Sequence, residues 1–142
     1  MKKVELIKLA DYLNIVNILI EKYSFSSLFK IEITALIIYA QSSTGMEVRK
    51  VIYNHIKKFL LNFHSILLSN YSDFIFISRA LKLNESNGNI SIEGDSVIKN
   101  KSLEIVDSDS KKYLFKENVI EILNEINSMT VKSFVQEVVA NV

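Results

Sequence analysis

No proline occurs among the 142 residues, and Gly45, Gly88 and Gly94 are the only glycines. Proline inside a helix removes a backbone hydrogen bond and clashes with the preceding turn, so nothing of that kind forces a helix in this chain to break. Punctuation falls instead to the glycines and to polar clusters such as "SSTG" and "NYSD". Such a chain favours long helical stretches.

The apolar spacing agrees. Leu6, Leu9, Ala10, Leu13, Val16 and Ile20 follow a 3.6-residue period, which predicts an amphipathic helix over about 4–22. A more apolar helix is expected over about 25–41, with Ser24 placed as its N-cap. Over 46–70, Val48, Ile52, Ile56, Phe59, Phe63, Ile66 and Leu67 gather on one side at 100° per residue, with Lys50, Lys57 and Lys58 outside that arc. A helix over about 73–85 follows, capped by Ser72 or Asp73 and stopped by Asn87-Gly88.

The next stretch, "NGNISIEGDSVI", changes period. Ile90 and Ile92 alternate with Ser91 and Glu93, and Gly94-Asp95 supplies a two-residue turn whose first position tolerates a positive φ. This predicts strands at about 89–93 and 96–99, with Glu93 opposite Ser96 and Ile92 opposite Val97. "SLEIV" is expected to add a third strand at about 102–106. Two helices, about 115–127 and 130–140, close the chain. The fold class that results is mainly α with a small antiparallel β-hairpin or sheet, a single winged-helix-like domain over 1–142.

Length supports one domain with its own core. The apolar share of 49% is high for a globular chain and suggests that some of that surface meets a partner. Without cysteine the chain has no disulfide, thiol nucleophile or thiolate metal site, which fits a reducing cytoplasm. Glu5, Lys8 and Asp11 stand where a signal peptide needs an uncharged apolar core. The longest runs free of charged residues, 33–46 and 59–72, are shorter than the roughly 18–20 apolar residues of a membrane span.

Catalytic and metal-binding patterns are each incomplete in this sequence. His55 and His64 are nine residues apart in one expected helix and point to opposite sides of it. Asp107 and Asp109 resemble the start of a calcium loop, but Lys112 and Asn118 occupy the positions that require glycine and glutamate. Gly88 and Gly94 are followed by Asp95 and Ser96, not by the Lys and Ser/Thr of a phosphate-binding loop. Glu121 and Glu125 share a helix face, yet with Glu117 they form the wet side opposite Val119, Ile122, Leu123 and Ile126. The expectation is therefore no catalytic residues, no metal and no cofactor.

Charge is more informative. Arg49, Lys50, Lys57 and Lys58 form a candidate contact for nucleic-acid phosphates or an acidic partner, although such residues are often only a solvated face. A winged-helix regulator would read DNA with the helix before its hairpin. Here that helix is "DFIFISRALKLNE", apolar in nearly every direction with Arg79 and Lys82 as its only cations, so it is expected to be buried in its own core or against another chain. The candidate partner interface comprises Phe74, Phe76, Ile77 and Leu81 on this helix, and Val131, Val135, Val138 and Val139 on the last one.

The stretch "FIFISRALKLNESNGNISIEGDSVI" resembles the apolar helix, glycine-marked corner and short hairpin of the small middle components of bacterial three-component ABC/SMC-type systems, such as the Lamassu antiphage system. The likeness extends to "FKIEITALIIYA", "VIYNHIKKFLLNFHSIL" and the helical C-terminus. It implies a non-catalytic adaptor that binds an SMC-like coiled-coil ATPase and helps hold or release an effector nuclease. The alternative is a free-standing winged-helix DNA-binding or regulatory protein.

Overall fold

The computed structural model describes residues 2–43, 56–106 and 117–142. Arg49, Lys50, His55, Asp107, Asp109 and Lys112 lie outside the described residues, as do the side chains of Glu117 and Asn118. The elements run α1 (Lys3–Glu21), α2 (Leu28–Ser43), α3 (Ile56–Phe59), α4 (Phe63–Asn70), a 3-10 turn (Tyr71–Asp73), α5 (Phe74–Ser86), β1 (Ile90–Glu93), β2 (Ser96–Lys99), α6 (Glu117–Ser128) and α7 (Val131–Val139). The fold is mainly helical with one two-stranded antiparallel sheet among the described residues.

Helix α1 is the centre of the packing, lying against both α2 and α5. The sequence suggested one wet face along its length. Instead its first turns stand exposed, Leu6 and Ala10 included, while Asp11 to Ile20 are buried on all sides apart from the half-buried Leu13. Burial all round requires that polar members find partners. Asn14 and Asn17 do so by bonding the backbone of 104–106, as described below.

Helix α2 begins three residues later than the spacing predicted. Ser24 adopts a left-handed φ of 57° and is not its cap. That turn drives the buried Phe25 inward, and the Ser27 hydroxyl accepts from the Lys30 N–H at 3.3 Å, the bond expected of an N-cap residue.

Of the helix expected over 46–70, residues 46–55 lie outside the described residues, and the remainder is interrupted. Between α3 and α4 the backbone tightens, with Leu61 N–H donating to Lys58 C=O at 3.2 Å and Phe63 N–H to Leu60 C=O at 2.9 Å, the i to i−3 bonding of a 3-10 turn. Phe59, Leu60 and Phe63 all reach the core across this break, whereas Leu61 faces water.

Helix α5 ends as its sequence foretold. Gly88 takes a φ of +74°, Asn89 N–H reaches Asn84 C=O at 2.9 Å, and the last turn is closed by a left-handed glycine. The hairpin also has the expected register, Ile92 opposite Val97 and Glu93 opposite Ser96, with Gly94 at φ +60°. Ile90 and Val97 bury their side chains in the core.

The third strand does not form. Residues 102–106 are irregular and run beside α1, whose side chains take the place of a neighbouring strand. Asn14 accepts from Val106 N–H at 2.9 Å and donates to Val106 C=O at 3.4 Å. Asn17 donates to Glu104 C=O at 2.8 Å, and Leu103 N–H donates to the Glu21 carboxylate at 3.2 Å. Backbone groups satisfied in this way have no need of a ladder.

Candidate functional site

Three polar clusters fasten the elements together. The first joins α1, α2 and the start of α5. Asp73 sits at the cap position of α5 but makes no side-chain cap bond. Its carboxylate, 2% exposed, instead accepts from the Tyr12 hydroxyl at 2.7 Å and pairs with Lys8 at 2.7 Å. Tyr12 stacks on Tyr39 with centroids 4.4 Å apart, and the Lys8 ammonium lies 5.6 Å from the ring centres of both Tyr39 and Phe76, within cation–π range. Burial pushes the Tyr39 phenol above its ordinary pKa, and Lys8 draws it partly back.

The second cluster docks the hairpin. Asp95, at the turn, accepts from the Ser27 hydroxyl at 2.6 Å and from the Phe29 N–H at 2.9 Å, while its carbonyl accepts from Leu28 N–H at 2.7 Å. A carboxylate from the hairpin thus serves the N-terminus of α2, where free N–H groups and the helix dipole favour negative charge. Buried Lys30, one turn on, donates to the carbonyls of Asn127 and Met129 and so neutralises the carbonyl end of α6. Burial lowers the Lys30 pKa and the Asp95 charge raises it.

A third cluster is a chain of amides. Asn89 donates to Asn84 at 3.3 Å, Asn84 to Asn17 at 2.7 Å, and Asn17 to the 104 carbonyl. These groups hold α5, α1 and the segment after the hairpin in register. Among the described residues no three His, Asp or Glu side chains gather at metal-binding range, and no described helix is long and apolar enough to cross a membrane.

The surface holds the remaining chemistry. Of the expected interface, Ile77 and Leu81 are buried in the chain's own core, Phe76 is half-buried against Tyr12, and Phe74 is half-buried beside Tyr71. Val138 is buried next to Phe134, Val135 is half-buried, and Val131 and Val139 remain at the surface. Lys57 and Lys58 are exposed.

Other exposed apolar residues lie outside the expected interface. Leu61, Leu68, Tyr71 and Ile75 all face water, Leu68 and Tyr71 at 72% and 70% exposure. They fall on the break after α3, on α4, on the 3-10 turn and on α5 in that order. The signal was present in the sequence, since the period that buries Ile56, Phe59 and Phe63 leaves Leu61 and Leu68 on the opposite side. It was obscured because the α5 segment is apolar in almost every direction.

No protein-family model, curated protein sequence or solved structure matches this chain.

Proposed function

We propose that this protein is a non-catalytic, cytoplasmic adaptor that joins an SMC-like coiled-coil ATPase to an effector nuclease in a bacterial antiphage complex. The observation that carries the reading is that large apolar side chains stand exposed on separate elements, Leu68 on α4, Tyr71 on the 3-10 turn, Ile75 on α5, Val139 on α7 and Val4, Leu6 and Ile7 on α1. Large side chains left in water on a chain that has already filled its core are the surface a permanent partner covers. Exposed apolar groups on separate elements suit a protein that links others.

The inward chemistry supports the same reading. Asp73, Lys30, Asp95 and the buried asparagines each bond a neighbouring element, so their roles are accounted for by assembly of the fold. The winged-helix description belongs to the proposal as well: an apolar helix followed by a short hairpin has the order of such a domain, with the hairpin tip fastened to α2. This fastening favours a structural hairpin over a DNA-contacting one.

The test is to read the genes beside this one and to co-express the chain with any SMC-like ATPase and nuclease that they encode. Co-purification of the three in fixed proportion is the expected result. Absence of such neighbours, together with a chain that stays monomeric and captures neither protein, contradicts the proposal.

A further inference from the structure

Asn87-Gly88 is the one Asn-Gly pair in the chain. It closes α5 at the corner before β1, and both residues are exposed. The Asn87 side chain makes no hydrogen bond among the described residues, so its amide carbon is open to attack. The backbone around it is arranged less favourably. Asn87 has a ψ of 0°, which carries the Gly88 nitrogen over the Asn87 nitrogen and away from Cβ, and the Gly88 N–H donates to Glu85 C=O at 3.0 Å.

We infer that Asn87 is a site of spontaneous deamidation, gated by opening of the α5 cap. The inference stands apart from the adaptor reading. Gly88 has no Cβ, so its nitrogen is the least hindered nucleophile that an asparagine can be followed by. Once the cap opens, that nitrogen loses its proton to solvent base and bonds to Asn87 Cγ, and the Cγ–Nδ2 bond breaks as ammonia leaves. Water then opens the five-membered ring, at Cγ to give aspartate or at the main-chain carbonyl carbon to give isoaspartate. One water is consumed, one ammonia is released and nothing is oxidised. Aspartate keeps the backbone path, and Lys101 Nζ, 3.7 Å from where a Cβ on Gly88 would lie, is placed to offset its charge. Isoaspartate instead routes the main chain through Cγ and lengthens it by a methylene. The bond from Asn89 N–H to Asn84 C=O at 2.9 Å spans that point, and the Asn84 side chain links Asn89 to Asn17 on α1. Isoaspartate at 87 therefore loosens the register of the hairpin against α1.

The experiment incubates the full chain for several weeks at mildly alkaline pH, folded or in urea, and samples it by peptide mapping that separates aspartate from isoaspartate. Conversion at Asn87 ahead of every other asparagine is expected in both, at least about tenfold faster in urea because ring closure waits on local opening. Gly88→Ala, compared in urea so that its effect on the fold plays no part, slows the conversion, and Asn87→Gln removes it. The isoaspartate form, separated by ion exchange, is expected to melt several degrees below the fresh chain, whereas Asn87→Asp melts close to it. No conversion at Asn87 in the folded chain, earlier conversion at another asparagine, or equal rates folded and unfolded overturns the inference. An isoaspartate form that melts with the fresh chain overturns its structural consequence.

Discussion

Asp95 and Ser27 are 68 residues apart in the chain and 2.6 Å apart in the structure. The contact joins the tip of the only sheet among the described residues to the first turn of α2, and it is reinforced by Phe29 N–H on the other carboxylate oxygen. A turn that sequence alone leaves free to meet solvent or a ligand is committed to holding a helix end.

Asp95→Ala is accordingly expected to destabilise the fold by about 1–2 kcal/mol, the usual cost of deleting an N-cap acceptor. Asp95→Asn retains one acceptor and loses less. Urea denaturation followed by circular dichroism measures both. An alanine variant as stable as the parent contradicts the capping role.

Tyr12→Phe removes the hydroxyl that donates to the buried Asp73 carboxylate. An unsatisfied buried acceptor costs about 1–3 kcal/mol, more than the net worth of the bond itself. Changing Asp73→Asn in the same chain removes the charge that needs the donor, so the double variant is expected to lose less than the two single changes added together. A double-mutant cycle in denaturant reads the coupling directly, and strict additivity excludes it.

The half-buried carboxylate of Glu32 gives the opposite kind of effect. Burial raises its pKa above the ordinary 4.5, and the nearby Asp95 charge raises it further. Folded Glu32 therefore holds its proton to higher pH than unfolded Glu32, and stability falls as pH rises through the interval between the two values. Glu32→Gln is expected to be more stable than the parent at pH 7, by less than about 1 kcal/mol given partial solvent screening. The advantage shrinks to nothing as pH drops below 4.5. Melting temperatures across that range decide it, and a gain that grows on acidification runs against the account.

Thr34 has a fully buried hydroxyl with no hydrogen-bond partner among the described residues. Valine keeps the branched shape and removes the polar atom, so Thr34→Val is expected to raise stability by roughly 1 kcal/mol. Thermal unfolding checks this. A loss of stability on substitution shows that the hydroxyl is in fact satisfied.

Much of the fold was legible because it depends on local chemistry. The α5 stop at Asn87-Gly88 and the Gly94-Asp95 turn follow from backbone conformations that glycine favours, and both are found where the residues placed them. What escaped depends on long-range side-chain bonds. The segment 102–106 has strand-like alternation, but Asn14, Asn17 and Glu21, more than eighty residues away, satisfy its backbone. An asparagine on a helix carries no periodic sign that it will replace a neighbouring strand. The same holds for Asp73, a plausible cap by position whose carboxylate is claimed by Tyr12 and Lys8.

The surface was harder to read for a related reason. Ile77 and Leu81 are as apolar as Ile75, and only the packing of α5 against α1 decides which of them turn inward. The exposed apolar residues Leu68, Tyr71 and Ile75 are therefore not the ones that the sequence singled out.

The adaptor account places the ATPase against the exposed Leu68 and Ile75 and turns on that contact. Co-expression of the SMC-like ATPase with the parent chain and with Leu68→Glu, Ile75→Glu measures it, with both forms verified as folded by circular dichroism. The account predicts stoichiometric co-purification for the parent and at least about a tenfold loss for the variant, since two charges would be buried unpaired at the interface. Equal recovery of the ATPase with both forms would contradict it.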